Sequence, residues 1–169
     1  MRRSAPPDRA PVRGARHPGF GTPGPYRRTT VHLTTGCGRA LAWDGQNGHP
    51  LFDTQVARRI STAPLVAGDA VYIAAFDPGR LVVLDPLSGR DLWRQSAGGA
   101  FTTTPFMAGD RIWASDRTGV LHAWDPRTRR STAQLPARWS EEGRGQPAVE
   151  SRMMFASTSG GWLQAWELP

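Results

Sequence analysis

Between residues 64 and 93 short apolar runs alternate with clusters of turn-forming residues. The stretch PLVAGDAVYIAAFDPGRLVVLDPLSGRDLW holds an apolar run ending in Gly68-Asp69, an alternating run over 71–75 and a turn at Asp77-Pro78-Gly79. A second run over 81–84, a turn over 85–89 and Asp91-Leu92-Trp93 complete it. Runs of this length, rich in β-branched and apolar residues and bounded by Gly, Pro and Asp, predict four short strands joined by hairpins.

The same unit recurs. Pro105, Gly109-Asp110, Ile112-Trp113, Gly119 and the run 121–125 fall where Pro64, Gly68-Asp69, Val71-Tyr72, Gly79 and the run 81–85 fall. A further copy runs from Pro147 through Met154-Phe155 and Gly160-Gly161 to Ala165-Trp166-Glu167, and a front-truncated one runs from Val31 through Gly38 and Ala42-Trp43-Asp44 to Leu51-Phe52. The acids at 44, 85, 125 and 167 are thus equivalent, spaced 41, 40 and 42 apart. A period near 40 made only of short strands predicts a propeller, because a four-stranded sheet buries both faces only when neighbours stack on it. The expected fold is all-β: a partial β-propeller of about 3.5 four-stranded antiparallel blades, with no long helix. The blades are placed at about 30–60, 61–100, 101–140 and 141–169. The first 29 residues supply neither the Pro-led strand nor the Gly-Asp turn that the repeat calls for ahead of Val31.

Composition changes this picture in one place. All 21 basic residues are Arg, and Arg2, Arg3, Arg9, Arg13, Arg16, Arg27 and Arg28 precede residue 30 against Asp8 alone. Of the formal charge of +7, +6 therefore belongs to the tail, and the repeats, with 14 Arg against 13 acids, are close to neutral. A Pro/Gly/Arg-rich segment buries too little apolar surface to offset its chain entropy, so 1–29 is expected to be a disordered tail. Its aromatics are only Phe20 and Tyr26, which argues against nucleic acid as a partner. The tail lacks the continuous apolar segment of a signal peptide, so the chain as written is expected in the cytoplasm, although a longer parent could be exported. No stretch approaches the length of a membrane span.

Trp43-Asp44 and Trp124-Asp125 match the dipeptide of WD40 repeats, but the Gly-His pair needed upstream of it is missing; Gly48-His49 lies downstream of Trp43-Asp44. Instead, a Gly stands four residues after the acid and a Trp four further on, as in Val83-x-Asp85-x-x-x-Gly89-x-x-x-Trp93. This resembles the tryptophan-docking motif of PQQ-like propeller repeats, the family that includes quinoprotein alcohol dehydrogenases and the BamB-type outer-membrane assembly lipoprotein. The resemblance covers about residues 31–169. Blade 1 keeps the motif with Phe52 for Trp; the copy after blade 2 replaces Gly by Arg129 and Trp by Ala133. In the family the motif Trp packs between blades. Trp93 is therefore expected to be largely buried, the junction served by Ala133 weaker, the Arg129 turn looser, and Trp139 in the polar 138–146 loop more exposed.

Candidate chemistry is sparse. Asp69, Asp77, Asp110 and Asp116 fall in turns and are read as turn formers rather than paired catalytic carboxylates. Cys37 occupies a turn, and a single cysteine forms no internal disulfide. His32 and His122 lie in strand runs and His49 in a turn, each expected at a surface or edge position rather than as a metal ligand. Trp43, Trp124 and Trp166, with Leu84 as the fourth member, share one repeat position and are read as inter-blade packing rather than a binding platform. No catalytic, cofactor-binding or metal-ligating residue is assigned, and no cofactor is expected. Quinoprotein enzymes of the family carry a vicinal disulfide, a calcium site and a catalytic Asp. The expected function is therefore that of the non-catalytic members: a fragment or C-terminal part of a longer propeller serving as a protein-interaction or ligand-sensing scaffold. The alternatives are a fragment of a PQQ-dependent alcohol or sugar dehydrogenase and the sensor part of a bacterial Ser/Thr kinase. The expected partner is protein. Three and a half blades do not close a large ring, so Val31, Leu33 and Leu41 at one end and Phe155, Leu163 and Trp166 at the other are expected to lack neighbours. Val71, Ile73, Leu81 and Val83 are expected to be well packed, and the chain is expected to self-associate through its open edges.

Overall fold

The computed structural model describes residues 30–136, 147–150, 152–157 and 163–168. The tail 1–29, Trp139 with its loop and Gly160-Gly161 lie outside the described residues. Among the described residues fourteen strands form, in chain order: β1 (Thr30–Thr34), β2 (Arg39–Asp44), β3 (Pro50–Gln55), β4 (Leu65–Ala67), β5 (Ala70–Ala75), β6 (Arg80–Leu84), β7 (Asp91–Ser96), β8 (Phe106–Ala108), β9 (Arg111–Ser115), β10 (Val120–Asp125), β11 (Arg130–Pro136), β12 (Ala148–Glu150), β13 (Met153–Ser157) and β14 (Leu163–Glu167). They make four antiparallel sheets, β1-β2-β3, β4-β5-β6-β7, β8-β9-β10-β11 and β12-β13-β14, here called blades 1 to 4. The all-β partial propeller expected from the repeat is the observed fold. Among the described residues no helix is long and apolar enough to cross a membrane.

The hairpins that follow β2, β6 and β10 share a local cause. Asp85 Oδ1 accepts hydrogen bonds from the Leu87 and Ser88 amides, at 3.0 and 2.8 Å, and from the Ser88 hydroxyl. The Gly89 amide returns to the Asp85 carbonyl. Asp44 accepts from the Gln46 amide and Asp125 from the Arg127 and Thr128 amides in the same way. A side-chain oxygen that bonds the amide two residues on makes an Asx turn, which fixes where each strand reverses. Just before each of these turns the pairing register shifts by one, between 42 and 43, 83 and 84, and 123 and 124. Such bulges increase strand twist.

Strand alternation gives every blade two apolar faces, one toward the blade before it (the leading face) and one toward the blade after it (the trailing face). The core is therefore a series of junctions. Ala40, Phe52, Val56 and Ala57 of the first unit pack on Ile60, Val71, Ile73, Val82 and Leu84. Tyr72, Ala74, Leu81, Val83 and Trp93 of blade 2 pack on Phe101, Ile112, Ala114 and Trp124. Trp113, Leu121, Ala123, Ala133 and Leu135 of blade 3 pack on Met154 and Trp166 of blade 4. Val71, Ile73, Leu81 and Val83 are fully buried, as expected of the best-packed blade.

Candidate functional site on the end faces of the arc

Cross-strand partners point to the same side of a sheet. The leading face of blade 2 therefore carries Val71 with Leu84 and Ile73 with Val82. The corresponding pairs are Ile112 with Trp124 and Ala114 with His122 in blade 3, and Val31 with Trp43 and Leu33 with Leu41 in blade 1. These residues are equivalent but their surroundings are not. Val71 and Ile73 are 1% and 0% exposed beneath blade 1, whereas Val31 and Leu33 are 46% and 53% exposed. At the other end, Trp113, Leu121 and Ala123 on the trailing face of blade 3 recur as Phe155, Leu163 and Ala165 on that of blade 4. Leu121 is 1% exposed and Leu163 is 73% exposed. Among the described residues two faces of junction chemistry thus stand partly uncovered, Val31, Leu33 and Leu163 each forgoing a part of the about 1.5–3 kcal/mol that complete burial of such a side chain contributes. Trp166 differs from expectation: it lies on the leading face of blade 4 and is partly buried against blade 3.

The docking motif works across junctions rather than within a blade. Gly89 has φ +66°, and a Cβ placed there would lie 2.5 Å from the Phe52 ring of blade 1. The glycine of one blade is therefore the bare seat for the aromatic of the blade before it. At the next junction the seat position is Arg129, the one described non-glycine residue with positive φ, at 60°. Trp93 faces that junction and packs against it with a minor part of its surface exposed. A second aromatic position accompanies the motif. His32 lies 6.0 Å from Phe52 and Tyr72 lies 6.5 Å from Trp93, ring centre to ring centre. In blade 3, where Trp has become Ala133, the equivalent of Tyr72 is Trp113, fully buried with its Nε1 donating to the Ala108 carbonyl. The large ring stands two strands in from the outer strand, on β9 across Ala123 of β10 from Ala133, so the Ala133 junction keeps an aromatic filling. This exchange is legible only once the faces are known.

His122 corrects the surface or edge placement expected for it. It is 3% exposed, with Nε2 2.7 Å from Asp116 Oδ2, a stacked contact to Trp124 and an edge contact to Phe101. The reason is that β10 is flanked by β9 and β11, and His122 replaces an apolar leading-face residue equivalent to Val82. Asp116 is a turn former, accepting from the Thr118 and Val120 amides, but it is also the buried partner of that imidazole. Burial pushes its carboxyl upward, and the bonds from the Thr118 hydroxyl, His122 and two amides outweigh that and hold it below the usual range. His32 is half-buried, and burial lowers its pKa. Cys37 is exposed in its turn, within 3.2 Å of the Thr35 hydroxyl. Trp43, Trp124 and Trp166 lie on the leading faces of three different blades and do not line a common platform.

One pocket of about 440 Å³ lies where β1 meets the linker to blade 2, lined by His32, Leu33, Thr34, Gly36 and residues 60–64. His32 Nδ1 is buried there without a partner.

An arc of blades with equivalent junction faces defines the class: an open run of propeller repeats. The family model described as "Outer membrane protein assembly factor BamB" matches residues 77–168, and the chain belongs to this family of PQQ-like repeat proteins. Among solved structures, BamB from Moraxella catarrhalis matches with a TM-score of 0.64 and 20% identity, covering 82% of this chain and 42% of that one. The computationally designed Ika4 protein matches with a TM-score of 0.68 and 17% identity, covering 83% of this chain and 86% of that one. The designed Ika8 protein matches with a TM-score of 0.63 and 17% identity, over 82% and 43%. The chain thus spans about two-fifths of the BamB and Ika8 chains. No curated protein matches in sequence.

Proposed function

We propose that the chain is a non-catalytic scaffold for protein interaction or ligand sensing, and that its working surfaces are the two uncovered end faces of the arc. The observation that carries this reading is the contrast between Val31 and Leu33, about half exposed, and Val71 and Ile73, buried at the same repeat positions. A surface already shaped to accept a blade selects a protein partner over a small polar ligand. The family's description as an assembly factor supports protein partners as well. The acids a catalytic reading would draw on are engaged otherwise: Asp44, Asp85 and Asp125 in their turns, and Asp116 with His122 between blades 2 and 3.

The partner that fits best is a second copy of this chain. Every internal junction joins a trailing face to a leading face, and the chain presents one of each. Because the arc matches 42% of the BamB chain and 43% of the Ika8 chain, two arcs supply about as many blades as one such chain. Two copies joined trailing face to leading face, twice over, close on themselves about a two-fold axis. Sedimentation at micromolar concentration tests this. A dimer is expected, and Leu33→Glu, which places a charge on an exposed position of the junction, is expected to give monomer. A monomeric wild-type chain that unfolds cooperatively refutes the second-copy reading.

A further inference from the structure

We infer that the Gly48 turn of blade 1 is a seat for an aromatic side chain, Phe or Trp, carried on a β-strand of a partner protein. This deepens the scaffold reading at the leading end face and rests on it, but it does not depend on the partner being a second copy. The turns at Gly48 and Gly89 are built alike. The Gly48 amide donates to the Asp44 carbonyl at 2.8 Å, as the Gly89 amide donates to the Asp85 carbonyl at 3.0 Å. The Asp44 and Asp85 amides each donate at 2.9 Å to the carbonyl of the residue after the glycine, His49 in one turn and Arg90 in the other. Both glycines are left-handed, with φ +73° and +66°. Two turns with the same hydrogen bonds and the same backbone twist present the same bare Cα surface to the blade before them.

The surroundings of the two glycines differ. Gly89 is buried, and a Cβ on it would strike the Phe52 ring; Gly48 is exposed, and a Cβ on it would meet no described atom within 4 Å. The floor beside the glycine is repeated as well. Phe52 packs on the cluster that holds Val71 and Leu84, and the register places Val31 and Trp43 at those positions in blade 1. Leu84 is fully buried, whereas Trp43 is only partly so and Val31 is 46% exposed. The occupied copy shows which chemistry the seat takes: a flat ring on the third residue of a strand, laid against glycine and over an apolar floor. In blade 1 the floor is itself aromatic, so an incoming ring gains an aromatic contact with Trp43 that an aliphatic side chain forgoes. A single ring anchored in a recess within a wider apolar face is the usual form of an interface hot spot.

The test uses the full chain, isotope-labelled for amide NMR, and as probe the hexapeptide of Pro50–Gln55, the strand that seats Phe52 against Gly89. At millimolar concentration the peptide is expected to shift the amides of Gly48 and His49, and the same peptide with alanine in place of phenylalanine is not. Gly48→Ala, which puts a methyl group where the ring would lie, is expected to weaken the response about tenfold. Gly48→Asn serves as a second variant, because Asn tolerates the left-handed backbone while still filling the seat; unchanged amide positions in β5 and β6 show that either variant is folded. No response at Gly48, a response indifferent to the ring or to both variants, or an equal response at residues 163–165 of the other end face overturns the inference. Sedimentation of the peptide-free chain reads the second-copy pairing separately: a monomer whose Gly48 turn responds supports the seat while refuting that pairing.

Discussion

Gly89→Ala is expected to destabilise the blade 1 to blade 2 junction by about 2–4 kcal/mol, and the structure divides that figure into two parts. The backbone at Gly89 has φ +66°, a left-handed conformation that costs an L residue about 1 kcal/mol. The new Cβ also meets Phe52 Cγ and Cδ2 at 2.5 Å, so the ring must leave a packed site, which costs about 1–3 kcal/mol. Equilibrium urea unfolding of four chains separates the parts: wild type, Gly89→Ala, Phe52→Ala and the double variant. With Phe52 truncated the clash disappears, so Gly89→Ala should then cost only about 1 kcal/mol, the strain alone. The mirror-image change is Arg129→Gly. There the strain is already present at φ 60°, and its relief, less the added freedom of glycine in the unfolded chain, should raise stability by about 0.5–1 kcal/mol. An equal cost of Gly89→Ala with and without Phe52 would show that the glycine is not the seat of that ring. A loss of stability on Arg129→Gly would refute the same logic at the next junction.

Trp113→Ala should cost about 3–5 kcal/mol and exceed the cost of Trp93→Ala, because Trp113 is fully buried and Trp93 is only partly so; thermal unfolding of the two variants decides it. For Asp116, whose folded-state pKa is lowered, the linked stability is present above the ordinary carboxylate pKa and lost as pH falls through the lowered one. Asp116→Asn should therefore be less stable at pH 7 and show a flatter stability profile below about pH 4, read by denaturant unfolding across pH. Addition of pyrroloquinoline quinone with calcium is expected to leave the melting temperature unchanged and give no dye-linked alcohol oxidation, since a ligand of the native state must raise its apparent stability. A clear upward shift would revive the quinoprotein reading.

Much of this molecule is decided locally and can be read from the chain alone. The apolar runs over 71–75 and 81–84, the glycines at 48 and 89 and the acids at 44, 85 and 125 specify strands, hairpins and their period, because Asx turns and left-handed glycines act over a few residues. The need for neighbouring blades is legible as well, since apolar residues on both faces of a short sheet require cover on both sides. The chain alone does not show which face each residue takes. The hairpin between β1 and β2 is one residue shorter than that between β5 and β6, so Val31 matches Val71 at an offset of 40 while Trp43 matches Leu84 at 41. A single-residue slip moves every side chain to the opposite face of a strand. The blade count already leaves Val31 and Leu33 short of neighbours, but only the observed pairing puts them together on the leading face, sets Phe52 against Gly89 and puts Trp113 in the space vacated at Ala133. The burial of His122 beside Asp116 was hidden for the same reason. A histidine within an alternating run reads as a polar, outward residue, and here both sides of the strand face inward because a blade lies on each.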